Sequence, residues 1–148
     1  MSTVRKLLEG KGKAGNVSVS TTDTVLNALK VMADAHIGAV LVAEDHKFVG
    51  IFTERDYLLK GELAGRTAKD TRVADVMTRS MYTVTMDTSA EQCMALMDEH
   101  HFRHLPVVEN DQLVGMVSIR DVLTAMLQNK ESEIKGLENY IMGTGFSG

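Results

Sequence analysis

A seven-residue pattern occurs twice in the chain, 65 residues apart, and it constrains the fold more than any other feature. Residues 50–56 read Gly-Ile-Phe-Thr-Glu-Arg-Asp, and residues 115–121 read Gly-Met-Val-Ser-Ile-Arg-Asp. The same offset aligns residues 16–60 with residues 81–125 without a gap, with ten identical pairs among 45 positions. Because an internal repeat decides the architecture, we predict two copies of one structural unit.

Each copy of the pattern combines residue types that suit a nucleotide. Glycine allows a close approach of the backbone to a ligand, and a hydroxyl at a helix start lies beside N–H groups that can receive an anion. Arginine offers a planar fork of donors to phosphate. A carboxylate accepts hydrogen bonds from the two hydroxyls of a ribose. The alternative for either copy alone is an ordinary helix N-cap with no ligand.

The hydrophobic periodicity gives both units the same order of elements. The first unit is predicted to contain strands at 17–20, 39–43 and 48–52, a helix at 24–35 capped by Thr22 or Asp23, and a helix from Thr53. The second is predicted to contain strands at 82–85, 105–108 and 113–117, a helix at 87–98 capped by Thr88 or Asp87, and a helix at 119–128. The fold class is therefore α/β (α+β), with two β-α-β-β-α units.

The predicted organisation has five parts. They are an N-terminal segment at 1–15, a first unit at 16–60, a linker at 61–80, a second unit at 81–127, and a C-terminal helix and tail at 128–148. A unit of 45 residues is too short to enclose a core of its own. We therefore expect the units to pack sheet to sheet about a pseudo-twofold axis, with both motifs facing a shared cleft.

Composition and charge exclude several classes of protein. A net charge of −4 and a pI near 5.7 disfavour binding to nucleic acid through bulk electrostatics. No run of 18 apolar residues predicts a membrane span, and the first ten residues lack the apolar core of a signal peptide. The single cysteine, Cys93, fits a reducing compartment and is predicted to be a buried, inert thiol. We expect a cytoplasmic protein without nucleic-acid or membrane partners.

Three of the histidines are candidates for metal ligands. His100, His101 and His104 are close in sequence, but no cysteine or carboxylate completes a recognisable zinc set, so no metal site is predicted. His36 and His101 are identical between the repeats and are predicted to lie at helix C-termini. No nucleophile is paired with a general base, and we predict no catalytic residue.

Three segments taken together resemble a known family. They are the repeated motif, Asp75-Val76-Met77-Thr78 before the second unit, and His101-Phe102-Arg103-His104-Leu105-Pro106-Val107-Val108. In this order they resemble a tandem pair of cystathionine-β-synthase (CBS) domains, also called a Bateman module, over about residues 10–127. Because the resemblance leaves no room for a catalytic domain, we expect a stand-alone pair.

The resemblance implies a non-catalytic regulatory module that binds an adenosine-containing ligand, with AMP first and ADP, ATP, NAD(H) or S-adenosylmethionine as alternatives. It implies ribose contacts from Asp56 and Asp121, and phosphate contacts from Thr53, Ser118, Arg103 and His104, with Arg55 and Arg120 as further candidates. It implies adenine contacts from Thr78 and Tyr82, and more weakly from Asn16 and Val17, and pocket walls from Ala39 and Pro106. No catalytic cofactor is implied.

Several expectations about assembly and specificity follow. Apolar residues at 57–60 and 122–127 exceed what one small sheet can cover, so a homodimer is expected, and a partner protein of unknown identity is expected to receive the signal. The second unit has Arg103 and His104 where the first has Gly38 and Ala39. We therefore predict that AMP fills the second site first. The competing functions are a small metal- or nucleotide-dependent enzyme and a dimeric scaffold without a ligand.

Overall fold

The structure is a computed structural model that describes residues 2–11 and 17–144. Strand bounds are β1 (Ser18–Ser20), β2 (Ala39–Glu44), β3 (Lys47–Thr53), β4 (His104–Glu109) and β5 (Gln112–Ser118). Helix bounds are α1 (Val4–Lys11), α2 (Val25–Ala35), α3 (Glu54–Asp56), α4 (Ala90–His100) and α5 (Ile119–Thr144). After α3 the chain continues as a π-helix over Tyr57–Gly61 and a 3-10 turn over Glu62–Ala64, and a second 3-10 turn covers Val73–Asp75.

The strands form one sheet with the order β1-β2-β3-β5-β4. β1 is parallel to β2, whereas β2 with β3 and β4 with β5 form two antiparallel hairpins. The hairpins are joined at one position, where Phe48 pairs with Leu113. The hairpin registers are equivalent, since Ala39 pairs with Thr53 and His104 pairs with Ser118. This repetition agrees with the predicted pair of related units.

The units also pack face to face, as expected. Each hairpin buries one face against its own helices, which produces two separate cores. The opposite faces share a third cluster, in which Leu41 and Ile51 of the first unit meet Met116 of the second. Burial of apolar surface on both faces explains why β2 is buried from Ala39 to Val42. The predicted sheet-to-sheet arrangement is confirmed.

Each core is completed by a segment from outside its own unit. Val4 of α1 is fully buried in the core of the second unit, and its N–H donates to the Thr88 carbonyl at 2.8 Å. Val73 and Val76, from the predicted linker, are buried in the core of the first unit. The stretch 61–80 is therefore partly core rather than only a polar connection, and each core is completed by chain that precedes the other unit.

Some local predictions were wrong. The predicted strand 82–85 is reduced to a single bridge between Val84 and Val107. The N-caps are Thr24 for α2 and Ser89 for α4, whose side chains accept from the N–H groups three residues on. Asp23 instead accepts from the Ser20 N–H at 2.8 Å. Neighbouring hydroxyl and carboxyl residues compete for the capping position, and pattern alone does not rank them.

The repeated histidines lie where they were predicted. His36 and His101 are the C-caps of α2 and α4, with φ of 56° and 59°. Histidine is one of the few residues enriched in this left-handed conformation. The identity between the repeats therefore reflects helix termination. Cys93 is also buried as predicted, and burial raises its pKa to about 11, which leaves the thiol protonated and unreactive.

Candidate functional site

The first motif forms a strand-to-helix turn that is closed by reciprocal hydrogen bonds. Thr53 ends β3, and its hydroxyl accepts from the Asp56 N–H at 3.0 Å. The Asp56 carboxylate in turn accepts from the Thr53 N–H at 3.1 Å. This arrangement is a capping box, in which two helix-start N–H groups find acceptors. It holds the acid at a fixed position, where only 7% of its surface is exposed.

The second motif repeats this geometry. The Ser118 hydroxyl accepts from the Asp121 N–H at 3.1 Å, and the Asp121 Oδ2 accepts from the Ser118 N–H at 2.8 Å. The simple capping interpretation is therefore correct for both copies. It does not exclude a ligand, because a hydroxyl that accepts a hydrogen bond keeps its own O–H to donate to a phosphate.

A lysine forms an ion pair with the aspartate of the first motif. Lys60 Nζ lies 3.1 Å from Asp56 Oδ1, and the Thr78 hydroxyl donates to the same oxygen at 2.8 Å. Lys60 also donates to the Thr78 hydroxyl at 3.2 Å and to the Met77 carbonyl at 3.4 Å. The Thr78 hydroxyl thus contacts the predicted ribose acid, and the contact of Thr78 with adenine stays a prediction. Both oxygens of Asp56 have protein partners.

A different lysine forms an ion pair with the aspartate of the second motif. Lys11, the last residue of α1, donates to Asp121 Oδ2 at 2.8 Å and to the Met116 carbonyl at 3.0 Å. Within the described residues, Asp121 Oδ1 accepts no hydrogen bond. Sequence reasoning missed both lysines. The i,i+4 spacing of Asp56 and Lys60 was an available signal, whereas 110 residues separate Lys11 from Asp121 and no local pattern links them.

The predicted phosphate regions of the two units adjoin. A Cβ built on Gly38 would lie 3.6 Å from Cε1 of His104 and 3.5 Å from Oε1 of Glu54. His104 is half-buried at the start of β4, while the side chain of Arg103 before it is exposed. At the positions equivalent to Arg103 and His104, the first unit therefore has only small side chains.

The predicted wall residues are buried beside the motifs. Ala39 pairs with Thr53 across the first hairpin. Pro106 pairs with Met116, the residue whose carbonyl receives Lys11. Both side chains are buried beside a polar turn, and their contact with a ligand stays a prediction.

The predicted adenine contacts have other environments. Val17 is half-buried against the first core, and its carbonyl accepts from the Leu41 N–H at 3.4 Å. The Tyr82 ring is 51% exposed and stacks on His100, with 4.1 Å between ring centroids. Asn16 lies outside the described residues. Contacts of these side chains with a ligand stay predictions.

The remaining basic candidates are Arg55 and Arg120, which follow the hydroxyls of the two motifs. Both side chains are exposed. Neither forms a hydrogen bond or an ion pair within the described residues, so both are available to an anion at the helix starts. Their role in phosphate binding stays a prediction.

A cavity of about 370 Å³ opens beside Gly38, lined mainly by α2 with Glu54 at its edge. Neither motif aspartate lines it. In residues 2–11 and 17–144, no group of three His, Cys, Asp or Glu side chains is arranged to hold a metal ion. No helix in those ranges is long and apolar enough to cross a membrane.

His104 is neutral at physiological pH. Its pKa is lowered to about 4, first because burial removes the imidazolium from water and then because of the positive charge of Lys11. The Asp121 carboxylate opposes this shift, and Arg103 adds to it. A neutral imidazole still offers one N–H donor, so His104 can hydrogen-bond an anion without carrying charge.

The low pKa of His104 predicts that the free energy of unfolding decreases as the pH falls from 7 to 4. The folded residue stays neutral down to about pH 4, whereas an unfolded histidine binds a proton near pH 6.5. Because the unfolded state binds more protons in this window, the unfolded state is stabilised relative to the folded state as the pH falls. The free energy of unfolding keeps its full value above pH 6.5, and a decrease on the order of 1–3 kcal/mol is expected by pH 4.

Urea unfolding at pH 7, 6, 5 and 4 measures this effect in the native chain, in His104→Asn and in His46→Asn. His46 is an exposed turn residue with φ of 67°, a conformation that asparagine tolerates, so it is a matched control. The pH dependence should be weaker in His104→Asn and unchanged in His46→Asn. Equal slopes in all three proteins would contradict the assignment.

The motifs and the fold agree with what comparisons with known proteins show. A family model for the CBS domain matches residues 15–60 and 73–128. CBS domain-containing protein CBSX3, mitochondrial, of Arabidopsis thaliana is 38% identical over an alignment of 150 positions. The alignment covers 96% of this chain and 73% of that protein.

Two solved structures also match. A protein with CBS domains from Burkholderia ambifaria is 40% identical with a TM-score of 0.78, and the match covers 86% of this chain and 95% of that chain. The structure of CBSX2 in complex with AMP is 30% identical with a TM-score of 0.71, and the match covers 88% and 99%. The chain with its two hydroxyl–aspartate turns therefore belongs to the CBS domain family and is a tandem CBS pair.

Proposed function

We propose that this CBS pair is a non-catalytic regulatory module that binds adenine nucleotides, with AMP as the preferred ligand. The observation that carries the proposal is the duplicated turn in which a hydroxyl and a fixed aspartate lie together at a helix start. This set matches a phosphate next to a ribose. The AMP complex of CBSX2, a protein 30% identical to this chain, supports the choice of ligand.

In the second site, the proposed role of Asp121 is to accept hydrogen bonds from the ribose hydroxyls. Ser118 would donate its O–H to the phosphate, and Arg103 and His104 would add a charged and a neutral donor. Pro106 would form part of the apolar wall beside the base. ADP, ATP, NAD(H) and S-adenosylmethionine share the adenosine part and are the alternatives that a ligand panel must separate.

The second site is proposed to bind AMP more tightly than the first. Asp56 already has protein partners on both oxygens, including Thr78, so a ribose must displace more there. Arg103 and His104 have no basic counterparts in the first unit, where Gly38 and Ala39 occupy these positions. Donors that carry charge strengthen phosphate binding, which favours the second site for AMP.

A regulatory role is favoured over catalysis. The two turns repeat the same hydroxyl and aspartate, which suits two related binding events better than one reaction. The only thiol, Cys93, is buried with a pKa near 11. Because each core contains a segment that precedes the other unit, a ligand that moves one turn also acts on the other unit. We propose that a partner protein reads this change.

The test is calorimetric titration and thermal unfolding with AMP, ADP, ATP, NAD, NADH, S-adenosylmethionine and adenosine. Ligand binding to the native state raises its stability, and AMP should give the largest increase. Arg103→Ala should weaken the tighter AMP site, and Thr53→Ala should leave it intact. The opposite pattern would move the main site to the first unit, and no binding by any ligand in the panel would overturn the proposed function.

A twofold homodimer is the proposed assembly. Leu58 and Leu123 occupy equivalent positions after the two motifs and are 51% and 46% exposed. Leu63 and Leu127, further along the same two segments, are 70% and 64% exposed. A surface of this kind, present in both pseudo-symmetric units, is self-complementary under a twofold axis, and a second copy of the chain would cover it.

Light scattering at micromolar concentration should give a mass of about 32 kDa, twice the 16.2 kDa of one chain. Leu127→Glu should shift the protein towards the monomer, because it places a charge in the proposed apolar contact. Gln128→Glu, with the same new charge one residue further along α5, should leave the mass unchanged. A native chain that scatters as a monomer would contradict the dimer.

A further inference from the structure

Lys11 reaches the second site from a distant part of the chain. It ends α1, and its ammonium contacts the Asp121 carboxylate at 2.8 Å and the Met116 carbonyl at 3.0 Å. The Lys11 and Asp121 side chains are both largely buried, at 24% and 21% exposed. An ammonium in this position satisfies the acid that a ribose needs, so a nucleoside and Lys11 compete for Asp121.

Lys11 lies near a second cation. Arg103 precedes β4, and the neutral His104 begins it. Both Lys11 and Arg103 lower the pKa of His104, which places these groups within electrostatic reach of one another. The Asp121 carboxylate, which Lys11 contacts, opposes this shift. A lysine that gives up this carboxylate to a ribose is left partly buried without its anionic partner, which is unfavourable unless an anion arrives with the ribose.

We infer that Lys11 sets the preference of the second site for phosphorylated ligands over the bare nucleoside. This rests on the proposed function. A nucleotide supplies a phosphate for the Lys11 ammonium at the same time as its ribose takes Asp121, so one charged contact replaces another. Adenosine takes Asp121 and supplies no anion. Lys11 therefore strengthens the binding of AMP and weakens the binding of adenosine. Both effects raise the ratio of AMP affinity to adenosine affinity.

The first site differs in this respect. Lys60 follows Asp56 by four residues and also contacts Thr78 and the Met77 carbonyl. It is held by three groups of its own neighbourhood. Lys11, by contrast, is bound to residues of the other end of the chain and contributes a charge that the local motif around Ser118 does not encode. The preference for phosphate is therefore specific to the second site.

The test is calorimetric titration of AMP and of adenosine into the native chain, Lys11→Met, Lys11→Arg and Lys6→Met. Methionine keeps most of the length of lysine and removes its charge. Lys6 is an exposed lysine on the same helix and controls for the change in net charge. Thermal unfolding without ligand confirms that each variant is folded.

Lys11→Met should weaken AMP binding by about tenfold, the lower end for a hydrogen bond to a charged group, and should strengthen adenosine binding. The ratio of the two affinities should therefore fall by more than about tenfold, while Lys11→Arg keeps the native preference and Lys6→Met does not change it. An unchanged ratio in Lys11→Met, or an equal loss for both ligands, would overturn the inference.

A measurement on the native chain gives an independent check if Lys11→Met does not fold. Added salt weakens both the Lys11–Asp121 pair and the contact of Lys11 with phosphate. Adenosine affinity should then rise with salt and AMP affinity should fall, and parallel responses would overturn the inference. If the native chain binds AMP but the ratio of AMP affinity to adenosine affinity does not respond as predicted, only the role of Lys11 is refuted. If it binds neither ligand, the proposed function itself is refuted.

Discussion

Asp121→Ala is expected to weaken AMP binding to the second site by about 1.5–3 kcal/mol, the range for hydrogen bonds to a charged group. The carboxylate is fixed by the Ser118 N–H at 2.8 Å, and within the described residues its Oδ1 is open to a ribose hydroxyl. Alanine removes both acceptors. The variant also frees Lys11 for the phosphate, so adenosine should lose at least as much affinity as AMP.

Calorimetry of Asp121→Ala beside Asp98→Ala measures this effect. Asp98 is an exposed residue of α4, and its removal changes the charge equally without touching either motif. Loss of the capping acceptor should cost α5 about 1 kcal/mol, which circular dichroism can separate from the loss of ligand. Unchanged AMP affinity in both Asp121→Ala and Asp56→Ala would reject the assignment of the ribose site.

Gly50→Ala is expected to destabilise the protein by about 2–3 kcal/mol, because the new methyl group has no space. It would overlap the Thr78 carbonyl oxygen and lie 2.6 Å from Cε of Met77. The Thr78 backbone cannot easily retreat, since it exchanges two hydrogen bonds with Ile51 at 2.8 and 3.0 Å. Thr78 also donates to Asp56, so the variant should disturb the first site as well.

Gly115→Ala is the matched control at the equivalent position of the second unit. There the new methyl group would lie 3.2 and 3.3 Å from the two terminal carbons of the Leu8 side chain, which can rotate. We expect a change of less than about 1 kcal/mol. Urea unfolding of both variants tests the difference, and equal destabilisation would show that the backbone contact at Gly50 is not decisive.

The contrast between the two glycines has a structural cause. Each lies beneath the segment that enters its unit from elsewhere in the chain, which is 73–78 for Gly50 and α1 for Gly115. The first segment presents backbone to the hairpin and the second presents a side chain. The pseudo-symmetry of the two units is therefore strict in the hairpins and approximate in the covering segments. The covering segment α1 also brings Lys11 to Asp121, whereas Asp56 is paired with Lys60 of its own helical segment.

Much of the fold could be predicted from the sequence because it depends on short-range chemistry. The repeat, the strand-to-helix turns around Thr53 and Ser118, and the left-handed C-caps at His36 and His101 all depend on residues within a few positions of each other. The face-to-face packing followed from units too small to bury their own sheets. Apolar pattern over-estimated the strand at 82–85, where the chain makes only one bridge.

The sequence by itself determined that two equivalent turns each hold a hydroxyl and an aspartate, since local capping requires only neighbouring residues. Only the tertiary structure decided what those aspartates contact. Lys11 meets Asp121 across 110 residues, and Val73 and Val4 each complete the core of a unit that is not the next one along the chain. Such contacts arise because apolar burial pulls α1 and 73–77 onto the hairpins, and that energy depends on the assembled surface rather than on any local pattern.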